Sequence, residues 1–144
     1  MEADSSGGKT SRGKVLCADD DESVLRVLGV LFGGNGYTPI LARDGDQALV
    51  LFHQHKNELV AAVLDLRMPG KNGLELAKEI RKESVDLPLF ALSANVGRGD
   101  LQDLPKLCAE VGFTGVTAKP FAVDPFLRMI SEAVEKYAAG RRNG

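Results

Sequence analysis

The chain has 144 residues, of which 44% are hydrophobic, and this size suits one domain with a single core. Its formal net charge is -2, with 18 basic and 20 acidic residues spread along the chain, so no general positive field favours nucleic acid or an anionic membrane surface. No apolar run approaches the ~18 residues that cross a bilayer, and the N-terminus lacks the apolar core of a secretory signal. We therefore expect a cytoplasmic protein without membrane insertion or direct nucleic-acid contact.

Short apolar runs alternate with segments of helical spacing along most of the chain. Residues 1–12 are small and polar, and residues 140–144 are short and polar, so both are predicted to be flexible tails around a domain at 13–139. Alternating strands and helices predict right-handed crossovers and a parallel sheet covered on both faces. The predicted strands are VLCA (15–18), YTPILA (37–42), VAAVL (60–64), PLFAL (88–92) and GVTA (115–118).

Helix boundaries follow from spacing, glycine and proline. The fourth helix contains Pro105, which a helix tolerates only in its first turn, so we predict a short or kinked helix that begins near Leu104. The other predicted helices run from Asp20 to the glycines at 33–36, from about 46 to 56, from Asn72 to a point before Pro88, and from about 124 to 139.

The second strand is predicted at an edge of the sheet. Its Pro39 has no N–H for a ladder hydrogen bond, and no chemically active residue follows it. Both observations favour the strand order 2-1-3-4-5 of a flavodoxin-like, three-layer α/β sandwich with five strands and five helices.

The other four strands end in residues that can handle a phosphoryl group or its metal. The carboxyl ends of parallel strands meet at one edge of the sheet, where ligands bind, so these residues should converge there. They are Asp19 and Asp20, then Asp65, Ser93 and Lys119.

The predicted cluster has a definite chemistry. Three carboxylates close together repel one another unless a cation lies among them, and Mg²⁺ (or Mn²⁺) is the hard divalent ion that prefers such oxygen ligands. Lys119 would neutralise an anion, and the hydroxyl of Ser93 would donate to a phosphoryl oxygen. Asp65 is then best placed to act as a nucleophile that becomes an acyl phosphate.

Four motifs together resemble the receiver domain of two-component response regulators. They are VLCADDDES (15–23), AAVLDLRMPGKNGLEL (61–76), FALSAN (90–95) and TAKPF (117–121). The resemblance implies that Asp65 is the phosphoacceptor and that a metal is bound by Asp19, Asp20, Asp65 and the backbone carbonyl of Arg67. It also implies that Ser93, Ala94 and Lys119 contact the phosphoryl group, and that Val116 stands where the family usually has an aromatic switch residue.

The same resemblance implies partners and leaves alternatives. A histidine kinase or a histidine phosphotransfer protein would supply the phosphoryl group, and the modified state would control a downstream protein that the sequence does not specify. We expect the domain to catalyse only its own phosphotransfer and dephosphorylation, without an output domain in this chain. The alternatives are a pseudo-receiver that binds partners without phosphorylation, and a small aspartyl-phosphate phosphohydrolase. The phosphohydrolase is disfavoured because Arg67 stands where such enzymes need a second acid.

Overall fold

The computed structural model describes residues 11–94 and 104–143. Strands and helices alternate along these residues as the sequence predicts. The strands are β1 (Lys14–Ala18), β2 (Thr38–Ala42), β3 (Leu59–Asp65), β4 (Leu89–Ser93) and β5 (Gly115–Ala118). The helices are α1 (Glu22–Gly33), α2 (Gly45–His55), α3 (Gly73–Arg81), α4 (Leu104–Val111) and α5 (Val123–Asn143).

The five strands form one parallel sheet in the order β2-β1-β3-β4-β5, which confirms the predicted 2-1-3-4-5 order. Pro39 lies on β2, at the edge of the sheet, where its missing N–H costs no ladder hydrogen bond. The register pairs Ala18 with Leu64, and Ser93 with Ala118. The carboxyl ends of the four functional strands are therefore level with one another.

Each face of the sheet carries its own hydrophobic cluster. On one face, α1 and α5 pack against the strands through Leu28, Phe32 and Ile130. On the other face, α2 and α3 contribute a second cluster, in which Phe52 and Leu76 are fully buried. The helices lie on both sides because their apolar residues recur every three to four positions and need a surface to cover. The result is the predicted three-layer sandwich.

Polar side chains fix where the helices begin. The Asp21 carboxylate accepts a hydrogen bond from the Ser23 N–H at 2.8 Å at the start of α1, and Asp44 accepts from Gln47 at 2.7 Å at the start of α2. Asn72 and Glu75 form a reciprocal capping box at the start of α3. The helix α4 has 8 residues from Leu104, which confirms the predicted short helix.

Both ends of the domain extend beyond their predicted limits. The prediction that α5 ends at Ala139 is wrong, since the helix continues to Asn143. Arg141 donates to Tyr137 Oη at 2.7 Å one turn earlier and covers its ring. Arg12, predicted as part of a tail, donates its backbone N–H to Gly36 O at 2.8 Å, with its guanidinium 4.6 Å from the centroid of the Tyr37 ring. The rest of the predicted N-terminal tail, 1–10, lies outside the described residues.

Among the helices of the described ranges, none combines the length and the apolarity that crossing a bilayer needs.

Candidate functional site

The carboxyl edge of the sheet carries the candidate site. Asp19 directly follows β1, Asp65 and Ser93 are the last residues of β3 and β4, and Lys119 directly follows β5. The Lys119 N–H donates to the Ser93 carbonyl oxygen at 2.9 Å, so the exit of β5 is attached to the end of β4. Residues that are far apart in sequence are thereby brought to one edge, as the sequence predicts.

Three carboxylates lie together at this edge. Oxygen atoms of Asp19, Asp20 and Asp65 all lie within 4.8 Å of one another, in a group that we call the acidic cluster. Asp19 is fully buried and Asp65 is 4% exposed, whereas Asp20 is exposed to solvent. Two of the three charges are therefore held away from water, where their mutual repulsion is strongest.

The ammonium group of Lys119 contacts the acidic cluster. Its Nζ lies 2.7 Å from Asp19 Oδ2 and 3.2 Å from Asp65 Oδ2, and it donates a hydrogen bond to Asp65. The contact with Asp19 is an ion pair without regular hydrogen-bond geometry, and Asp19 Oδ2 is a buried oxygen that accepts no hydrogen bond within the described part of the chain. The ammonium of Lys119 can balance one of the three carboxylate charges.

Burial and the neighbouring charges shift the pKa values of Asp65 and Lys119. Burial, together with the neighbouring charge of Asp19, raises the pKa of Asp65 to about 6. The Arg67 N–H, which lies 3.2 Å from Asp65 Oδ1, and the ammonium of Lys119 oppose this rise. Burial acts to lower the pKa of Lys119, but the two carboxylates raise it above its ordinary value. For Asp65, burial and the repulsion from Asp19 together outweigh the opposing effects of Arg67 and Lys119.

The acidic run after β1 is divided between this cluster and helix α1. Asp19 and Asp20 belong to the cluster, while Asp21 caps α1 and Glu22 pairs with Arg43 at 2.7 Å. Asp19 Oδ1 also accepts the N–H of Asp21 at 2.9 Å, which fixes the orientation of its carboxylate. The predicted choice of the first two aspartates of the run for this edge agrees with their positions.

Three further predicted site residues lie on β4 and β5 or directly after them. Ser93 is 2% exposed, and Ala94 follows it as an exposed turn residue. Val116 is 37% exposed and lies on β5 three residues before Lys119. A β-branched aliphatic side chain at this position has no ring to rotate toward the cluster, so an aromatic switch is absent at 116.

The loop at 66–72 is pressed against the end of β3. A Cβ atom added to Gly73 would collide with the carbonyl oxygen of Asp65 and would lie 3.0 Å from the Cα of Leu66. Only glycine permits this close backbone approach. The loop therefore leaves Asp65 and returns against its backbone before α3 begins.

A match to a family model identifies the protein family of this chain. The model of the response regulator receiver domain matches residues 15–131. The chain belongs to this family. It is thus a receiver domain of two-component signalling, as its motifs indicate.

Curated relatives agree with this assignment. The receiver domain is 38% identical over 128 residues to a probable transcriptional regulator ycf27 of Galdieria sulphuraria, a match that covers 86% of this chain and 47% of the relative. It is 31% identical over 124 residues to the transcriptional regulatory protein GlrR of Escherichia coli, covering 86% of this chain and 27% of that protein. The chain thus spans about half or less of the length of these relatives.

Solved structures confirm the fold. A receiver domain protein from Clostridium thermocellum superposes with a TM-score of 0.79 at 24% identity, covering 88% of this chain and 98% of the other. The receiver domain of the Francisella response regulator 1452 gives a TM-score of 0.74 at 28% identity, covering 86% and 98%.

Proposed function

We propose that the receiver domain accepts a phosphoryl group on Asp65 and uses the modified state to control a partner. One observation carries the proposal: a nearly buried carboxylate lies beside two further carboxylates and a lysine ammonium, on the strand ends of a receiver fold. The lysine and a cation among the carboxylates would together neutralise the charge of a phosphoryl group.

The donor atoms of the cluster fit a hard divalent cation. They are carboxylate oxygens only, and the buried Asp19 Oδ2 has the ammonium of Lys119 at 2.7 Å but accepts no hydrogen bond among the described residues. We propose that Mg²⁺, or Mn²⁺ in its place, is held by Asp19, Asp20, Asp65 and the backbone carbonyl of Arg67. When bound, the ion supplies charge neutralisation for the phosphoryl oxygens and for the carboxylates themselves.

The chain's own groups then have separate tasks in the transfer. A carboxylate oxygen of Asp65 attacks the phosphorus of a phosphohistidine, so that a P–O bond forms as the P–N bond breaks and the electron pair leaves with the imidazole. The product on the chain is an acyl phosphate. We propose that Lys119 and Ser93 donate to its oxygens, together with the backbone N–H of Ala94, and that water later hydrolyses the bond.

The phosphodonor is proposed to be a histidine kinase or a histidine phosphotransfer protein of the cytoplasm. The acyl phosphate would shift the domain between two conformations, and a downstream protein would bind one of them more tightly. Because Val116 provides no aromatic ring, we propose that this shift is transmitted through the segment that follows Ser93.

Intact mass measurement tests the proposal. The protein is incubated with a small phosphodonor such as acetyl phosphate and Mg²⁺, and the expected product is heavier by about 80 Da, the mass of one phosphoryl group. Asp65→Asn should abolish the adduct. Asp44→Asn, in which the amide still caps α2, is the matched control and should be modified like the parent. Omission of Mg²⁺ should reduce modification strongly.

The other outcomes of this experiment identify the competing functions. No adduct under any condition, with Mg²⁺ present, would refute the phosphoacceptor role and favour a pseudo-receiver that binds partners unmodified. Turnover of an added phosphate ester, which the Arg67 position disfavours, would favour a phosphohydrolase. An adduct that survives Asp65→Asn would place the phosphoacceptor elsewhere.

A further inference from the structure

The backbones of α2 and of the loop at 66–72 touch directly. A Cβ atom added to Gly45 would overlap the carbonyl oxygen of Lys71, far inside the 3.0 Å that real Cβ contacts essentially never go below, and would lie 2.7 Å from Lys71 Cβ. Gly45 is buried in the first turn of α2. Only a residue without a side chain fits between helix and loop at this point.

A second contact lies beside the first. Gly70 adopts a positive φ of 72°, and a Cβ atom added there would lie 2.6 Å from Asp46 Oδ2. Two consecutive residues of α2, Gly45 and Asp46, thus contact two consecutive residues of the loop, Gly70 and Lys71. The other end of the loop is held by Gly73 against the Asp65 backbone. The loop is therefore fixed between the phosphoacceptor strand and the first turn of α2.

The position of this loop matters for the acidic cluster. The loop carries Arg67, whose N–H lies 3.2 Å from Asp65 Oδ1 and whose carbonyl is a proposed ligand of the cation. A methyl group at Gly45 would push the loop away from α2, and loss of a group that orients a metal ligand typically lowers metal affinity by about 10- to 100-fold.

We infer that Gly45 is a positioning residue for the cation site: by leaving room for the Lys71 carbonyl, it lets the first turn of α2 hold the 66–72 loop where Arg67 can complete the ligand set. The inference rests on the proposed function, because it gives the loop a task in holding the cation.

Calorimetric titration of Mg²⁺ into the full chain tests the inference. Gly45→Ala should weaken Mg²⁺ binding by about tenfold or more, because the carbonyl of Arg67 moves with the loop. Gly33→Ala, whose added Cβ meets nothing within 4 Å, is the matched control and should bind like the parent. Thermal unfolding without Mg²⁺ is measured alongside. A purely structural role would lower the Tm of Gly45→Ala and leave its Mg²⁺ affinity unchanged, which would overturn the inference.

A second set of variants tests the positioning role of the contact between α2 and the loop if Gly45→Ala does not fold. Gly70→Ala perturbs the same contact from the loop side and should also weaken Mg²⁺ binding. Combining it with Asp46→Ala removes the carboxylate that the new methyl group would meet, so the part of the loss that comes from this contact should return, while the part that comes from the positive φ of residue 70 should remain. Unchanged affinity in Gly70→Ala, or no recovery in the double variant, would overturn the inference. Absence of Mg²⁺ binding by the parent would refute the proposed function itself.

Discussion

Replacement of Asp65 by asparagine should stabilise the receiver domain when no divalent cation is present. The folded state raises the pKa of Asp65 from its ordinary 3.8 to about 6, chiefly by burial and by the charge of Asp19. Each pKa unit is worth about 1.4 kcal/mol, so the ionised carboxylate lowers the free energy of unfolding by about 3 kcal/mol at neutral pH. This figure already includes the attraction of Lys119 for the ionised carboxylate, which the neutral asparagine loses. We therefore expect a stabilisation of about 3 kcal/mol at pH 8.

The sign of the pH dependence follows from the direction of this shift. Because the pKa of Asp65 is higher in the folded state, the proton binds the folded state preferentially. The stability that protonation confers is fully present below about pH 4 and is lost as the pH rises through about 6. At pH 5 the advantage of Asp65→Asn should accordingly fall to about 1.5 kcal/mol, roughly half its value at pH 8.

Urea denaturation in the presence of a chelator measures these differences. Circular dichroism is the suitable signal because the chain has no tryptophan. Asp44→Asn, which keeps the cap of α2, is the control and should stay within about 0.5 kcal/mol of the parent at both pH values. A loss of stability in Asp65→Asn at pH 8, or an equal gain at pH 8 and pH 5, would refute the electrostatic reasoning. Added Mg²⁺ should stabilise the parent and not the variant.

Three further substitutions test separate parts of the site. Lys119→Gln removes the ammonium 2.7 Å from Asp19 Oδ2, which competes with Mg²⁺ for the same carboxylates. Calorimetry should therefore show that Mg²⁺ binds severalfold more tightly, and weaker binding would contradict this competition. Gly73→Ala should lower the free energy of unfolding by about 1–3 kcal/mol in urea denaturation, because its Cβ would collide with the end of β3. Gly140→Ala, whose Cβ would meet no atom, is the control. An equal loss of stability in the two variants would contradict the packing argument. Asp21→Ala should lose about 1 kcal/mol of stability through the missing cap, with Mg²⁺ affinity within about twofold of the parent; a large loss of affinity would place Asp21 in the acidic cluster.

Much of the fold was predictable because the sequence pattern is local. Alternating apolar runs predict the strands, and Pro39 indicates the edge strand. The residues that follow the predicted strands indicate the members of the acidic cluster. These inferences need only the geometry of a parallel sheet, in which the position of each strand end follows from the order of the strands.

Other features depend on contacts between distant segments, which no local pattern encodes. The packing of Gly45 against Lys71 joins positions on different elements, and the Asp44-Gly45 pair by itself indicates only a helix start. Gly140 disfavours helix locally, but the α5 helix continues through it to Asn143, with Arg141 packed on Tyr137. The sequence predicts Arg12 in a tail, because the polar residues around it do not indicate its contact with the Tyr37 ring.

The electrostatic cost of the acidic cluster and its proposed capacity to bind a cation have the same origin. Asp65 is destabilised in the folded state because burial and Asp19 oppose its ionisation, and Lys119 offsets only part of this cost. A divalent cation that bound only the folded state would remove the repulsion between the carboxylates, so the free energy of binding would include the relief of that repulsion. Substitutions that lower the charge of the cluster should therefore stabilise the cation-free domain and weaken cation binding together. Substitutions that only move the 66–72 loop should weaken binding without stabilising the domain.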